Sequence, residues 1–169
     1  MDTMSAIRTR RSIRKYTKEP VPAEVVKELL TAAMYAPSAG DAQPWQFVVV
    51  NRRDLLDKVE TVHPHAAMAR EAPLAILVCG DLKLEKYPGN WIADCSAATQ
   101  NLLLAAHEKG LGTVWCGVYP NADRIPAFRK FLNLPEHVVP LALVVVGHPA
   151  EKKPTPVRFK KERVHENTW

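Results

Sequence analysis

Apolar positions along the chain follow two rhythms. In PVPAEVVKELLTAAMYA, Val25, Val26, Leu29, Leu30, Ala33 and Met34 recur at helical spacing. They predict an amphipathic helix over 22–35 with Pro22 in its first turn. WQFVVV, LAILVCG, TVWCGV and VPLALVVVG are instead nearly unbroken apolar runs. They predict strands over 45–50, 74–80, 113–118 and 139–147, and the continuity of LAILVCG implies a buried strand. Polar residues at the boundaries of these runs mark further helices. Asp2 is placed to cap one over 3–9, and Asn51 a short one over RRDLLDKVE. Asn90 is placed to cap a long one over 91–109 that Gly110 ends, and Asn121 one that reaches Leu132. Residues 64–70 fit a further helical turn. In the long helix, Ala98, Leu102, Leu103, Ala105 and Ala106 cover much of the circumference, so it is expected to be central and buried.

The elements alternate, helix and strand, after an opening pair of helices. That order predicts a central sheet flanked by helices, in a single domain over residues 1–169. The last twenty residues are rich in charge and proline and too poor in apolar side chains to pack alone. They are expected to form an arm over 150–169 lying on another surface, such as a second subunit. No strand is followed by GxGxxG. Gly110 and Gly112 of KGLGTVW lie between a helix and a strand, the reverse of the dinucleotide order, and GxxxxGK[ST] is absent. A phosphate would have to be held by side chains. The longest apolar stretch, Val138 to Gly147, is interrupted by Pro140 and too short to span a bilayer. MDTMSAIRTRR has no apolar segment behind its charges, so no signal peptide is expected. Cys79, Cys95 and Cys116 are widely spaced without a CxxC, which fits free thiols in a cytoplasmic protein.

The net charge of +5 matters less than its placement. Residues 8–18 carry six basic residues and no acid, and residues 151–163 carry six against two glutamates, so twelve of the 23 basic residues lie at the two ends. Such clusters suit nucleic acid, an anionic surface or the phosphate of a small ligand; solvated termini are the bland alternative. Within RRSIRKY, Arg10, Arg11 and Ser12 offer guanidinium forks and a hydroxyl, groups suited to binding phosphate. In an extended segment, Arg10, Ser12 and Arg14 would point the same way and could follow an elongated ligand. In APSAGDAQPW, small side chains and helix breakers precede a strand; this is either a plain connection or a surface for something flat.

RRSIRKY, APSAGDAQPWQF, GLGTVWCGVYP and the basic PVRFKKERVH tail, in that order, resemble the FMN-dependent nitroreductase family over nearly the whole chain. The resemblance implies an α+β fold with a central mixed sheet flanked by helices and a C-terminal arm packing on a second subunit. It implies a homodimer with FMN at the subunit interface. Arg10, Arg11, Ser12 and Arg158 match the phosphate and ribityl grip, and Arg14 matches the cation near flavin N1 and O2, where negative charge collects on reduction. Pro37, Ser38 and Ala39 would press on the ring from the neighbouring subunit. Asp41 stands where the family usually has asparagine. As a carboxylate it accepts but does not donate, and it would make the flavin harder to reduce; shaping the turn is the other reading of Asp41. Val114, Trp115, Cys116 and Gly117 match the stretch beside the ring's reactive edge, with a backbone N–H of Cys116 or Gly117 reaching N5.

The activity implied is hydride transfer from NAD(P)H to the flavin and then to a nitroaromatic, quinone or similar acceptor, by a ping-pong route with no side-chain acid. Loop 80–91 and residues 62–70 are expected to set acceptor choice, and Trp91 and Asp94 to border the pocket. Two other classes fit parts of the sequence: a flavin-storage protein without turnover, and a basic nucleic-acid-binding module, whose motifs are lacking. Cys116 as a thiolate would need a positive neighbour. His63-x-His65 lacks nearby partners for a metal, and none is expected.

Overall fold

The computed structural model describes residues 1–169. Four strands, β1 (Trp45–Val50), β2 (Leu74–Asp81), β3 (Gly112–Gly117) and β4 (Val138–Gly147), form one sheet in the order β1-β2-β4-β3. The helices are α1 (Thr3–Thr9), α2 (Ala23–Met34), α3 (Arg53–Leu56), α4 (Val59–Val62), α5 (Trp91–Glu108) and α6 (Arg124–Leu132). All three ladders are antiparallel, and the parallel component of the sheet is one bridge, Ser12 to Thr113. No helix is long and apolar enough to cross a membrane.

The unbroken apolar runs reflect a sheet covered on both faces. Along β2, Leu74, Ile76 and Val78 pack with Leu29 and Ala33 of α2 and Ala98 and Leu102 of α5. The alternating Ala75, Leu77 and Cys79 pack with Leu56, Val59 and Phe128 on the opposite face. Period-two alternation thus feeds two cores from one strand. α5 supplies six of the 18 residues of one core. Asn101 of α5 donates to the Ala32 carbonyl of α2 at 3.1 Å, tying the two helices side by side. Replacing the fully buried Leu102 by alanine would cost about 2–5 kcal/mol.

Helix ends followed side-chain chemistry in some places and not in others. The Asp2 carboxylate accepts the Ser5 N–H at 3.0 Å, and Asn121 Oδ1 accepts the N–H groups of Asp123 and Arg124 at 3.1 and 2.9 Å. Gly110 closes α5 with φ +76°. Asn51 and Asn90 do not cap. The stretch after β1 breaks into two short helical turns with no side-chain cap, and an exposed Arg52–Asp54 ion pair at 2.6 Å lies at the start of the first. Asn90 holds helix-like angles and makes no side-chain cap bond.

One irregularity places the end of β3. Val78 pairs with Ala142 but Cys79 pairs with Pro140, so Leu141 is the extra residue of a bulge. Pro140 has no N–H to contribute and sits where the ladder is already broken. The Leu141 carbonyl takes the Val118 and Tyr119 N–H groups at 2.9 and 3.0 Å, which steers the chain away just after Gly117.

Close approach of β2 to α5 depends on Gly80, because a Cβ there would stand 2.3 Å from the Trp91 indole. Gly80→Ala is expected to destabilise by about 1–3 kcal/mol through overpacking. Urea denaturation measures this; an unchanged midpoint would contradict the packing described.

Candidate functional site

β3 pairs with β4 on one side only. The Ile13 N–H donates to the Thr113 carbonyl at 2.9 Å from the other side, so Thr113 faces outward. By strand alternation Trp115 and Gly117 also turn their backbone groups outward, while Val114 and Cys116 face the β4 ladder. The Gly117 carbonyl bears this out, since it accepts from His63 Nε2 at 2.9 Å and from Arg124 Nη1 at 3.0 Å. The Gly117 N–H has no protein acceptor. Nothing lies within 4 Å of where a Gly117 Cβ would stand. A flat ligand laid on this end of the sheet face would meet no side chain at Gly117, and of the two candidate donors it is the Gly117 N–H, not that of Cys116, that alternation turns away from β4.

Cys116 is buried among Val114, Val118 and Phe128. Positive neighbours do exist: Arg14 and Arg124 pull its pKa down. Burial outweighs them and pushes the thiol up to about 11, so it is not a thiolate nucleophile at neutral pH. Cys79 and Cys95 are buried and held higher still, at about 12. Trp115 lies on the opposite sheet face, half-buried beside the core that holds Trp91 and Tyr119.

The chain's two basic ends meet at the start of β3. Residues 12–17 run from the Ser12–Thr113 bridge to an antiparallel bridge between Tyr16 and Pro149. Side chains then stitch the tail along them. Glu151 accepts the Arg14 N–H at 2.6 Å, and Lys153 donates to the Ser12 carbonyl at 2.7 Å. Arg11 donates to the Pro154 carbonyl at 3.0 Å and to the carbonyls of Arg8 and Arg10. Arg11 is therefore occupied as a clip between the two ends. The guanidinium groups of Arg10, Arg14 and Arg158 have neither ion pair nor hydrogen bond. Burial, then the charges of Arg158 and Arg11, lower the pKa of Arg10. Like charges crowded without a counter-ion suit an anion. A cavity of about 360 Å³ opens here, lined by Arg10, Gly112, Lys152 and Lys153 among others, with Glu151 on its wall already paired to Lys153 at 3.3 Å. Ile13 is buried between half-buried Ser12 and exposed Arg14, the alternation expected of extended chain.

Pro37, Ser38, Ala39 and Asp41 precede β1, the sheet's opposite edge strand. Gly117 aligns across the sheet with Ala142, Val78 and Phe47 in turn. Three strand spacings of roughly 4.8 Å, about 14 Å, therefore separate the two edges. One chain does not bring this turn onto its own Gly117, though both lie at the same end of the sheet. The turn is rigidly held. The Ala39 N–H donates to buried Asp94 at 2.9 Å, and the Gln43 N–H to Ser38 Oγ at 3.0 Å. Asp41 is exposed, has φ +52°, and accepts from the Gln43 side chain at 2.8 Å. Lys86 donates to the Gly40 carbonyl, and Tyr87 lies over Gly40, so loop 82–90 rests on the turn. Asp94 Oδ2 is buried without a partner.

Two contributors were not legible as site residues. His63 falls within residues 62–70, expected to set acceptor choice, and within a His-x-His pair that lacks metal partners; Arg124 belongs to no motif; both donate to the Gly117 carbonyl. No three His, Cys, Asp or Glu side chains gather as a metal site would require.

The comparisons with known proteins agree with this architecture. The family model described as the nitroreductase family matches residues 7–69 and 60–148. A protein of Methanothermobacter thermautotrophicus, provisionally named NADH dehydrogenase/NAD(P)H nitroreductase, is 51% identical over 169 residues, covering 100% of this chain and 88% of its own. The FMN-dependent nitroreductase of Clostridium difficile superposes with a TM-score of 0.91 at 28% identity, over 99% of this chain and 100% of that one. A provisionally named nitroreductase of Desulfovibrio desulfuricans, solved in complex with FMN, superposes with a TM-score of 0.84 at 32% identity, over 100% and 99% of the two chains. With its sheet order, open β3 edge and converging basic ends, the chain belongs to the nitroreductase family.

Proposed function

We propose that the protein is an FMN-dependent oxidoreductase that works as a cytoplasmic homodimer. Bound FMN would supply the two-electron chemistry, taking hydride from NAD(P)H and passing electrons in a second, ping-pong step to a nitroaromatic, quinone or similar acceptor. The observation that carries this reading is the partnerless Gly117 N–H on an open strand edge, on the chain whose ends bring together unpaired guanidinium groups. These groups fit FMN: a free donor and free space suit a planar ring, and uncompensated arginines suit its phosphate.

Arg10, Ser12 and Arg158 hold the phosphate, and Arg11 contributes by fixing the tail beside them. Arg14 stands as a fixed cation at the N1 and O2 side, favouring the charge that reduction places there. Gly117 orients the ring's reactive edge. Val114, Trp115 and Cys116 carry that amide rather than reacting. The partner subunit's Pro37, Ser38 and Ala39 cover the ring, since a chain's own turn lies at the far edge of its sheet. The exposed tail supports the dimer: Val157 is 96% exposed, Phe159 78% and Trp169 100%, apolar groups that a second subunit would cover.

Anaerobic addition of NADH or NADPH to the FMN-loaded protein is expected to bleach the flavin absorbance. Persistent colour with both donors would contradict the enzymatic reading and leave a storage role. Arg10→Ala and Arg158→Ala are each expected to weaken FMN binding by about 10- to 100-fold, as loss of a charge-assisted bond worth about 1.5–3 kcal/mol implies. Unchanged affinity in a fluorescence titration would remove these residues from the phosphate site. Asp41→Asn is expected to raise the flavin midpoint potential, because it removes a negative charge from the vicinity of the reduced ring. A potential that is unchanged or lower would leave Asp41 as a turn residue only.

A further inference from the structure

Gly117 is an unusual place to hang a fixed donor. It ends an edge strand, it has no side chain, and the space around it is open. Glycine loses more conformational freedom on folding than any other residue. An inner strand would be fixed by ladder bonds on both sides; here the outward side has no neighbouring strand. Two side chains take its place. His63 follows α4 and Arg124 opens α6, and both donate to the one Gly117 carbonyl, at 2.9 and 3.0 Å.

His63 is only 2% exposed and packs edge-on against Phe128. A carbonyl only accepts, so Nε2 must carry the ring proton and Nδ1 must be bare. Nδ1 is buried and has no donor to satisfy it. Leaving a buried polar atom unpaired costs about 1–3 kcal/mol. An apolar side chain would avoid that cost, so the residue is accounted for by the one bond that it makes. Burial, aided by the Arg124 charge, lowers its pKa against the opposing effect of the Gly117 bond, so the ring stays neutral at physiological pH.

We infer that His63 and Arg124 are positioning residues for the Gly117 amide, holding it as a fixed donor toward the N5 edge of the flavin. The inference rests on the FMN reading above. The Gly117 N–H shares a peptide plane with the Cys116 carbonyl, which faces the β4 ladder. The next plane is held on its inner side by the Val118 N–H on Leu141 and on its outer side by the two donors on the Gly117 carbonyl, so the glycine is pinned between two fixed planes and its N–H keeps one direction. Such a donor favours the oxidised ring, whose N5 offers a lone pair, over the reduced ring, whose N5 carries a proton. Loosening it should therefore weaken oxidised FMN more than reduced FMN.

The test is the midpoint potential and the absorption spectrum of the FMN-loaded protein. His63→Phe keeps the ring volume and changes no charge. It is expected to shift the ratio of reduced to oxidised affinity about tenfold, or about 30 mV upward for a two-electron couple. His63→Gln, which keeps an N–H donor, is expected to lie closer to wild type. Arg124→Lys keeps the charge, weakens the directed bond, and is expected to move the potential in the same direction; it carries the test if His63→Phe fails to fold. Thermal melts identify folded variants. Folded His63→Phe or Arg124→Lys protein with the wild-type potential and spectrum would overturn the inference while leaving the FMN reading intact. A wild-type protein that takes up no FMN would instead overturn that reading.

Discussion

The 2.9 Å hydrogen bond from the Ile13 amide to the Thr113 carbonyl organises the molecule's functional end. It docks the N-terminal segment on the outer edge of β3 and stops there. Before it, the edge is covered; beyond it, Trp115 and Gly117 are left with outward backbone groups. The same docking carries Arg10, Ser12 and Arg14 to that edge. Because Tyr16 then bridges to Pro149, the C-terminal tail is drawn along the same segment. An open amide and a set of uncompensated cations are thus consequences of one strand pairing.

The sheet makes this economical. Unpaired edge amides invite association with another chain. β3 limits the exposure by shortness, by the bulge at Leu141 that turns the chain away, and by placing two donors on the last carbonyl. What remains open is small and directional. Meanwhile the turn before β1 is pinned by Asp94 and weighted by Tyr87, yet lies a full sheet width away. Two rigid half-surfaces thus stand at opposite edges of one chain.

Much of the fold could be read from the residues, for identifiable reasons. The strand over Trp45–Val50 and the helix over Thr3–Thr9 have sharp compositional edges, and their bounds matched. The apolar run of β2 revealed burial on both faces but not strand direction, because helices cover an antiparallel sheet here as fully as they would a parallel one. Asn51 and Asn90 have good capping chemistry, yet neither cap bond formed: the cap position of α3 falls one residue later, at Arg52, and Asn90 itself holds helix-like angles. RRSIRKY pointed to the basic site, but Arg11 could not be told from Arg10 until the tail's Pro154 carbonyl was placed against it. His63 and Gly117 are 54 residues apart, and no periodicity links them. Contacts of that kind depend on how α4 and α6 pack over the sheet, which local pattern does not encode.

The most direct measurement is a crystal structure of the protein grown with FMN. The account predicts the ring at the open edge of β3, with N5 within hydrogen-bond distance of the Gly117 N–H, the phosphate between Arg10 and Arg158, and the partner subunit's turn over the ring. Flavin bound elsewhere, or bound there with the Gly117 amide turned away from it, would contradict the claim that this strand edge is the site.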